Sequence, residues 1–229
     1  MSIRKPTVNL LYLPGTNCQA ETARAFRHAG ADPRLVFLND LLAGHDRLDS
    51  ADLLCLPGGF SFGDHIAAGA IGGLILRTKL HRQLQNCRTR PMICICNGFQ
   101  IALRAGVFGP GVALQPNHTG TFHNRPDQPH QVVAGNPSPW LAGLAGATLR
   151  FPCAHGEGRF HYQPHNGRTG WRTALRYPES ANPDGSTDHI AGITTADGLV
   201  LGLMNHPERA ADRDTRLALF ENGVRAARQ

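Results

Sequence analysis

Short apolar runs alternate with amphipathic stretches along the first half of this chain. Thr7–Leu13 (TVNLLYL) reads as a buried strand that stops at Pro14-Gly15. Gln19–Ala29 has helical spacing, with Ala23, Phe26 and Ala29/Gly30 on one side. Leu35–Leu38 and Asp52–Leu56 are two further strands, the second ending at Pro57-Gly58-Gly59. Ala67–Gln85 reads as one helix despite its early glycines, Pro91–Cys96 as a fourth strand, and Gly98 to about Ala105 as another helix. Strands alternating with helices predict an α/β fold, a doubly wound and mostly parallel sheet flanked by helices. From Val107 to Asp188 the pattern is irregular. Thr148–Pro152, Ala191–Thr195 and Val200–Met204 are the strands expected beyond Val107, and Asp212–Arg228 closes the chain as a helix with Leu217, Phe220 and Val224 on one face. No linker divides it, so residues 1–229 read as one domain.

Composition narrows the classes. At 41% hydrophobic residues a chain of 229 can bury a full core without staples. The net charge of +6 comes from scattered arginines with no basic run, which argues against nucleic acid or an anionic membrane as partner. The longest apolar stretch, Ile66–Leu76, is well short of a bilayer span of ~20 residues. No secretory leader is visible, so the six cysteines read as reduced thiols in a cytoplasm.

In a parallel sheet, reactive groups gather at the carboxyl ends of strands. Here those ends are PGTNC, PGGFSFGD and CNGFQ. Cys96 stands where an apolar strand meets a helix, followed by Asn97-Gly98. That is the pattern of a nucleophile elbow, with the helix N-terminus favouring a thiolate. The bland alternative is a core thiol like Cys55. His206 and Glu208 follow a strand with Pro207 between them. Extended backbone would put them on one face, where a carboxylate orients an imidazole. The alternatives are two surface side chains or two metal ligands. His161–His165 is the only other close histidine pair, so no metal site is expected.

Five longer segments, LPGGFSFGDHIAAGAI, CICNGFQIAL, AHGEGRF, NPDGSTDHIAGIT and GLMNHPERA, resemble the glutamine amidotransferase subunits of phosphoribosylformylglycinamidine synthase. These are class I, Cys-His-Glu amidotransferases. LYLPGTNCQAETARAF and LQPNHTGTFHNR extend the resemblance over nearly the whole chain. It implies a flavodoxin-like fold and a glutaminase in which Cys96 attacks the glutamine amide, with His206 and Glu208 as its proton-handling pair. Backbone N–H groups of Asn97 and of Gly59 or Phe60 would hold the oxyanion. Gln100, His155 and Gly156 would line the glutamine pocket. Ammonia would pass to a large synthetase subunit, and a third small subunit would bridge the two. No G-K-[ST] phosphate loop occurs here, so ATP and Mg²⁺ are expected in that partner and no cofactor in this chain. Three departures from the family pattern stand out: Cys94 in place of the elbow glycine, Asn205 in place of proline, and Thr121 with His123-Asn124 in TGTFHNR. Competing readings are a free-standing cysteine hydrolase, which should carry a histidine soon after the elbow, and a non-catalytic scaffold, which should lack one of the three catalytic residues.

Overall fold

The computed structural model describes residues 4–163 and 170–228. A nine-stranded sheet runs in the order β2-β1-β3-β4-β11-β10-β9-β6-β7. Its first half is parallel: β2 (Asp32–Phe37), β1 (Thr7–Tyr12), β3 (Leu53–Leu56), β4 (Met92–Ile95) and β11 (Val200–Leu203). β1, β3, β4 and β11 are almost wholly buried, which is why they read as unbroken apolar runs. The second half is antiparallel: β10 (Ile190–Thr195), β9 (Trp171–Arg176), β6 (His123–Val132) and β7 (Thr148–His155). β5 (Val112–Gln115) and β8 (Arg159–Tyr162) form a separate small ribbon. The fold is of the expected α/β class, with an antiparallel wing built from the irregular stretch.

Helices α1 (Gln19–His28) and α6 (Arg213–Ala226) pack together through an edge-to-face pair, Phe26 on Phe220 at 4.9 Å between ring centres. A short α2 (Leu38–Ala43), ended by Gly44 in the left-handed region, was not expected. The single helix predicted over Ala67–Gln85 is two, α3 (Ala70–Thr78) and α4 (His81–Cys87). The chain breaks at Lys79-Leu80, where Leu80 leaves helical geometry and buries its side chain. The remaining helix, α5 (Asn97–Arg104), packs on β3 and β4 and against α3.

This topology decides where chemistry can occur. β4 lies between β3 and β11, all three parallel, with Leu56 opposite Cys94 and Leu203 opposite Ile95. The three strands therefore end level. The residues that follow them, Pro57-Gly58, Cys96 and Asn205-His206, emerge at one edge of the sheet.

Candidate active site

Cys96 caps α5 with φ 51° and ψ −114°, a left-handed φ that a residue with a Cβ adopts only under constraint. Its N–H donates to Leu203 O (2.9 Å), while its carbonyl accepts from Phe99 and Gln100 N–H. Gly98 explains why the turn can be this tight. A Cβ there would lie 1.9 Å from Leu56 O, so α5 sits directly on the end of β3. Cys94, at the position of the usual elbow glycine, points into the core, fully buried, and burial holds its thiol well above the ordinary range.

His206 is anchored by its N–H to Pro152 O (2.8 Å). Its Nδ1 lies 2.7 Å from Glu208 Oε1, and both side chains are buried. The pair shares a face for a different reason than extended backbone: Pro207–Arg209 form one 3₁₀ turn, which folds Glu208 back onto the ring. Burial disfavours the imidazolium, but the Glu208 carboxylate and the Cys96 and Cys18 sulfurs outweigh it. His206 is therefore held well above the ordinary histidine range.

Gly58 is where these groups converge. A Cβ on it would lie 2.9 Å from His206 Cε1, 2.9 Å from Cys18 Sγ and 3.4 Å from Cys96 Cβ. Cys18 was not singled out in the sequence, although it ends PGTNC, one of the loops at the carboxyl edge. Its S–H can donate to Asn17 Oδ1 (3.2 Å), and its sulfur accepts from Arg209 Nη2 (3.1 Å). Burial raises this thiol, against the pull of His206 and Arg209.

A cavity of about 120 Å³ opens beside Cys96, lined by residues of the PGGF, CNGFQ and AHGEG segments. Asn97 ties two of them together: its Oδ1 accepts from Ser61 N–H (3.1 Å), and its Nδ2 donates to Asp64 Oδ1 (3.1 Å) and Gln100 Oε1 (2.9 Å). Gln100 ties in the third, donating to Glu157 O (2.8 Å). Both ends of its amide are thus engaged by protein, and it shapes the wall rather than offering a free amide. Gly156 and His155 line the cavity, yet the His155 ring is turned behind the wall, with Nδ1 on Asn117 Oδ1 (3.2 Å). Two carboxylates that sequence reasoning missed, Asp64 and Glu157, also line it. Burial and the neighbouring Glu157 raise Asp64. The signal lay in the acidic residues ending GFSFGD and inside HGEG.

The predicted oxyanion donors divide. Asn97 is the first residue of α5, at the end where N–H groups have no partner within the helix. Gly59 forms an isolated bridge with Thr16 across the loop. The Phe60 N–H is engaged, donating to Gly15 O at 3.0 Å, so in this conformation it does not face the cavity. That corrects the expectation for Phe60, because the bridge between Thr16 and Gly59 turns the next peptide toward the PGTN loop. His161 lies in β8, away from the site, and His165 lies outside the described residues.

Residues 5–219 match the family model of the CobB/CobQ-like glutamine amidotransferase domain. The chain is 39% identical to phosphoribosylformylglycinamidine synthase subunit PurQ of Pyrobaculum aerophilum, covering 90% of this chain and 88% of that one. It is 35% identical to the same subunit of Methanopyrus kandleri, over 95% and 96%. Among solved structures, a chain of PurLQS from Thermotoga maritima superposes with a TM-score of 0.79 at 31% identity, over 98% of this chain and 97% of that one.

Proposed function

Because the chain belongs to the CobB/CobQ-like glutamine amidotransferase family, and within it to the PurQ subunits, we propose that Cys96, His206 and Glu208 hydrolyse glutamine as the glutaminase of phosphoribosylformylglycinamidine synthase. The observation that carries the reading is a strained cysteine at a helix N-terminus beside a buried imidazole that a carboxylate holds 2.7 Å away.

The steps balance on these groups. The Cys96 thiolate attacks the side-chain amide carbon, and the carbonyl electrons move to oxygen, facing the Asn97 and Gly59 N–H groups. His206 gives its proton to the nitrogen as the C–N bond breaks, which releases ammonia and leaves a glutamyl thioester. The now neutral His206 takes a proton from water, hydroxide adds to the thioester, and Cys96 leaves as thiolate with glutamate as product. Asp64 and Glu157 supply the negative charge that an amino acid's ammonium group requires in the pocket.

Ammonia then passes to a large synthetase subunit, which uses ATP and Mg²⁺, with a small third subunit completing the complex. Phe60 and Phe122, half exposed with ring centres 6.2 Å apart, rim the pocket and offer that partner an apolar contact. No helix among the described residues is long and apolar enough to cross a membrane. We place the enzyme in the cytoplasm and treat residues 1–229 as one amidotransferase domain.

Two outcomes follow. With Glu208→Gln the charge that raises His206 is lost while burial remains, so the imidazolium deprotonates at lower pH. The alkaline limb of the kcat profile should move to lower pH; an unmoved limb would deny Glu208 this role. Secondly, with the Phe60 N–H turned to Gly15 O, the oxyanion rests on the Asn97 and Gly59 N–H groups alone, and reorienting the PGGF loop in the complex would add a further donor. One such donor contributes about 10²–10³-fold in kcat elsewhere. The isolated chain should therefore turn over glutamine at least tenfold more slowly than the assembled complex, and equal rates would contradict this.

A further inference from the structure

Behind the pocket wall, three segments bring together side chains that glutamine hydrolysis does not use. In the antiparallel pair β6 and β7, His123 stands directly opposite His155. Cys153, two residues before His155, shares its face of the strand. The segment after the 3₁₀ turn Glu179–Ala181 lays Asp184 over this face, fixed by its carbonyl accepting from His118 N–H at 3.0 Å. Asp184 Oδ1 is 2.8 Å from His123 Nδ1, and Oδ2 is 3.7 Å from His155 Nε2. His155 Nε2 is 3.2 Å from Cys153 Sγ. All four side chains are buried, Asp184 and Cys153 completely.

Hydrogen bonds fix which way one of these rings presents its lone pair. Asn117 Nδ2 donates to Thr121 O (3.0 Å) and His155 O (2.8 Å), which orients its amide. Asn117 Oδ1 then faces Gly158 N–H (3.0 Å) and His155 Nδ1 (3.2 Å). An amide oxygen only accepts, so Nδ1 of His155 carries the proton and Nε2 presents a lone pair to the Cys153 sulfur and the Asp184 carboxylate. On His123, Nε2 lies 2.8 Å from Thr119 Oγ1, a partner that can take the ring proton and leave Nδ1 free to ligate. Outer hydrogen bonds of this kind hold metal-binding imidazoles in register.

We propose that His123, Cys153, His155 and Asp184 bind one Zn²⁺ and clip the Asp184 segment to the β6–β7 edge. The donor set suits this ion: two imidazoles, one thiolate and one carboxylate. Zinc displaces the thiol proton of Cys153 to solvent, and the two resulting negative charges neutralise the ion, so the buried site carries no net charge. Ligand atoms of His123, Cys153 and Asp184 already lie within 4.8 Å of one another. A tetrahedral zinc with bonds of about 2.0–2.3 Å needs ligand atoms roughly 3.3–3.6 Å apart. The competing account is a metal-free network, with His123 Nδ1–H donating to Asp184 and the Cys153 S–H donating to His155. It predicts no metal uptake here. The histidine spacing in the sequence gave no hint, because the ligands come from three separated segments. His123 itself is one of the departures from the family pattern.

Cys18, His206 and Glu208 also lie within metal-binding reach of one another, in the active site. The test therefore uses the full chain carrying Cys18→Ser and Cys96→Ser, stripped with chelator and titrated with Co²⁺. One Co²⁺ per chain is expected, with a thiolate-to-cobalt charge-transfer band that zinc abolishes by displacement. Adding Cys153→Ser should remove the band. Adding the near-isosteric Asp184→Asn should weaken Co²⁺ binding at least tenfold, and it serves if Cys153→Ser does not fold. No charge-transfer band in the parent, or a band unchanged by either added substitution, overturns the proposal.

Discussion

Cys96→Ala is expected to lower glutamine-dependent turnover by on the order of 10⁴-fold or more, the scale on which nucleophile deletions act in comparable triads. Ammonium-supported synthesis by the assembled complex should stay near the parental rate. The asymmetry follows from the geometry. Cys96 is the sulfur at the strained elbow, and removing it leaves the fold's contacts nearly intact, since Ala keeps the Cβ that already tolerates φ 51°. His206→Ala should show the same split, because the proton delivered to departing ammonia comes from that ring. Full glutamine-dependent activity in Cys96→Ala would mean another nucleophile. Cys18, also beside His206, would then be the first to consider.

The second large effect is predicted for Gly98→Ala. The added Cβ would sit 1.9 Å from Leu56 O and 2.5 Å from Leu56 C, both backbone atoms of a buried strand that cannot rotate away. Overpacking of a core typically costs about 1–3 kcal/mol, and this contact belongs at or above the top of that range. Either α5 lifts off β3, which carries Cys96 and Asn97 away from Gly58 and the oxyanion site, or the protein unfolds at a lower temperature. Thermal melting and glutaminase rates should both fall, the rate by 10²-fold or more. A variant with parental Tm and parental kcat would show that the elbow does not sit on β3 as described.

The parallel half of the sheet was legible because all its strands except the exposed edge strand β2 are buried on both faces. Such strands leave short, continuous apolar runs such as DLLCL and PMICIC, each closed by a glycine loop. The antiparallel wing was largely hidden. β6 contains Pro126, Asp127 and Pro129 and is exposed over much of its length, with an irregular register between Arg125 and Gln128. Neither apolar continuity nor strict alternation marks it. At the site, Cys96, His206 and Glu208 stand out as candidates because each follows a strand end that the pattern shows. Gly59, Asn97 and Gly156 stand out through their motifs, and the structure puts Gly59 and Gly156 in the cavity wall and Asn97 at the start of α5. What could not be read was orientation: that the Gln100 amide is engaged by Asn97 and Glu157, that the Phe60 N–H turns to Gly15 O, and that the His155 ring faces Asn117. Cys18 and Asp184 were missed because their neighbours are tertiary: His206 for Cys18, and His123 and His155 for Asp184, all far away along the chain.

The mechanism requires a glutamyl thioester on one particular sulfur. It is tested most directly by incubating the assembled complex with a glutamine-like electrophile and mapping the adduct by peptide mass spectrometry. A single adduct on the peptide containing Cys96, formed more slowly when glutamine competes and lost in Cys96→Ala, is the result predicted. Labelling on Cys18 or elsewhere with Cys96 unmodified, or labelling that glutamine does not slow, would contradict it.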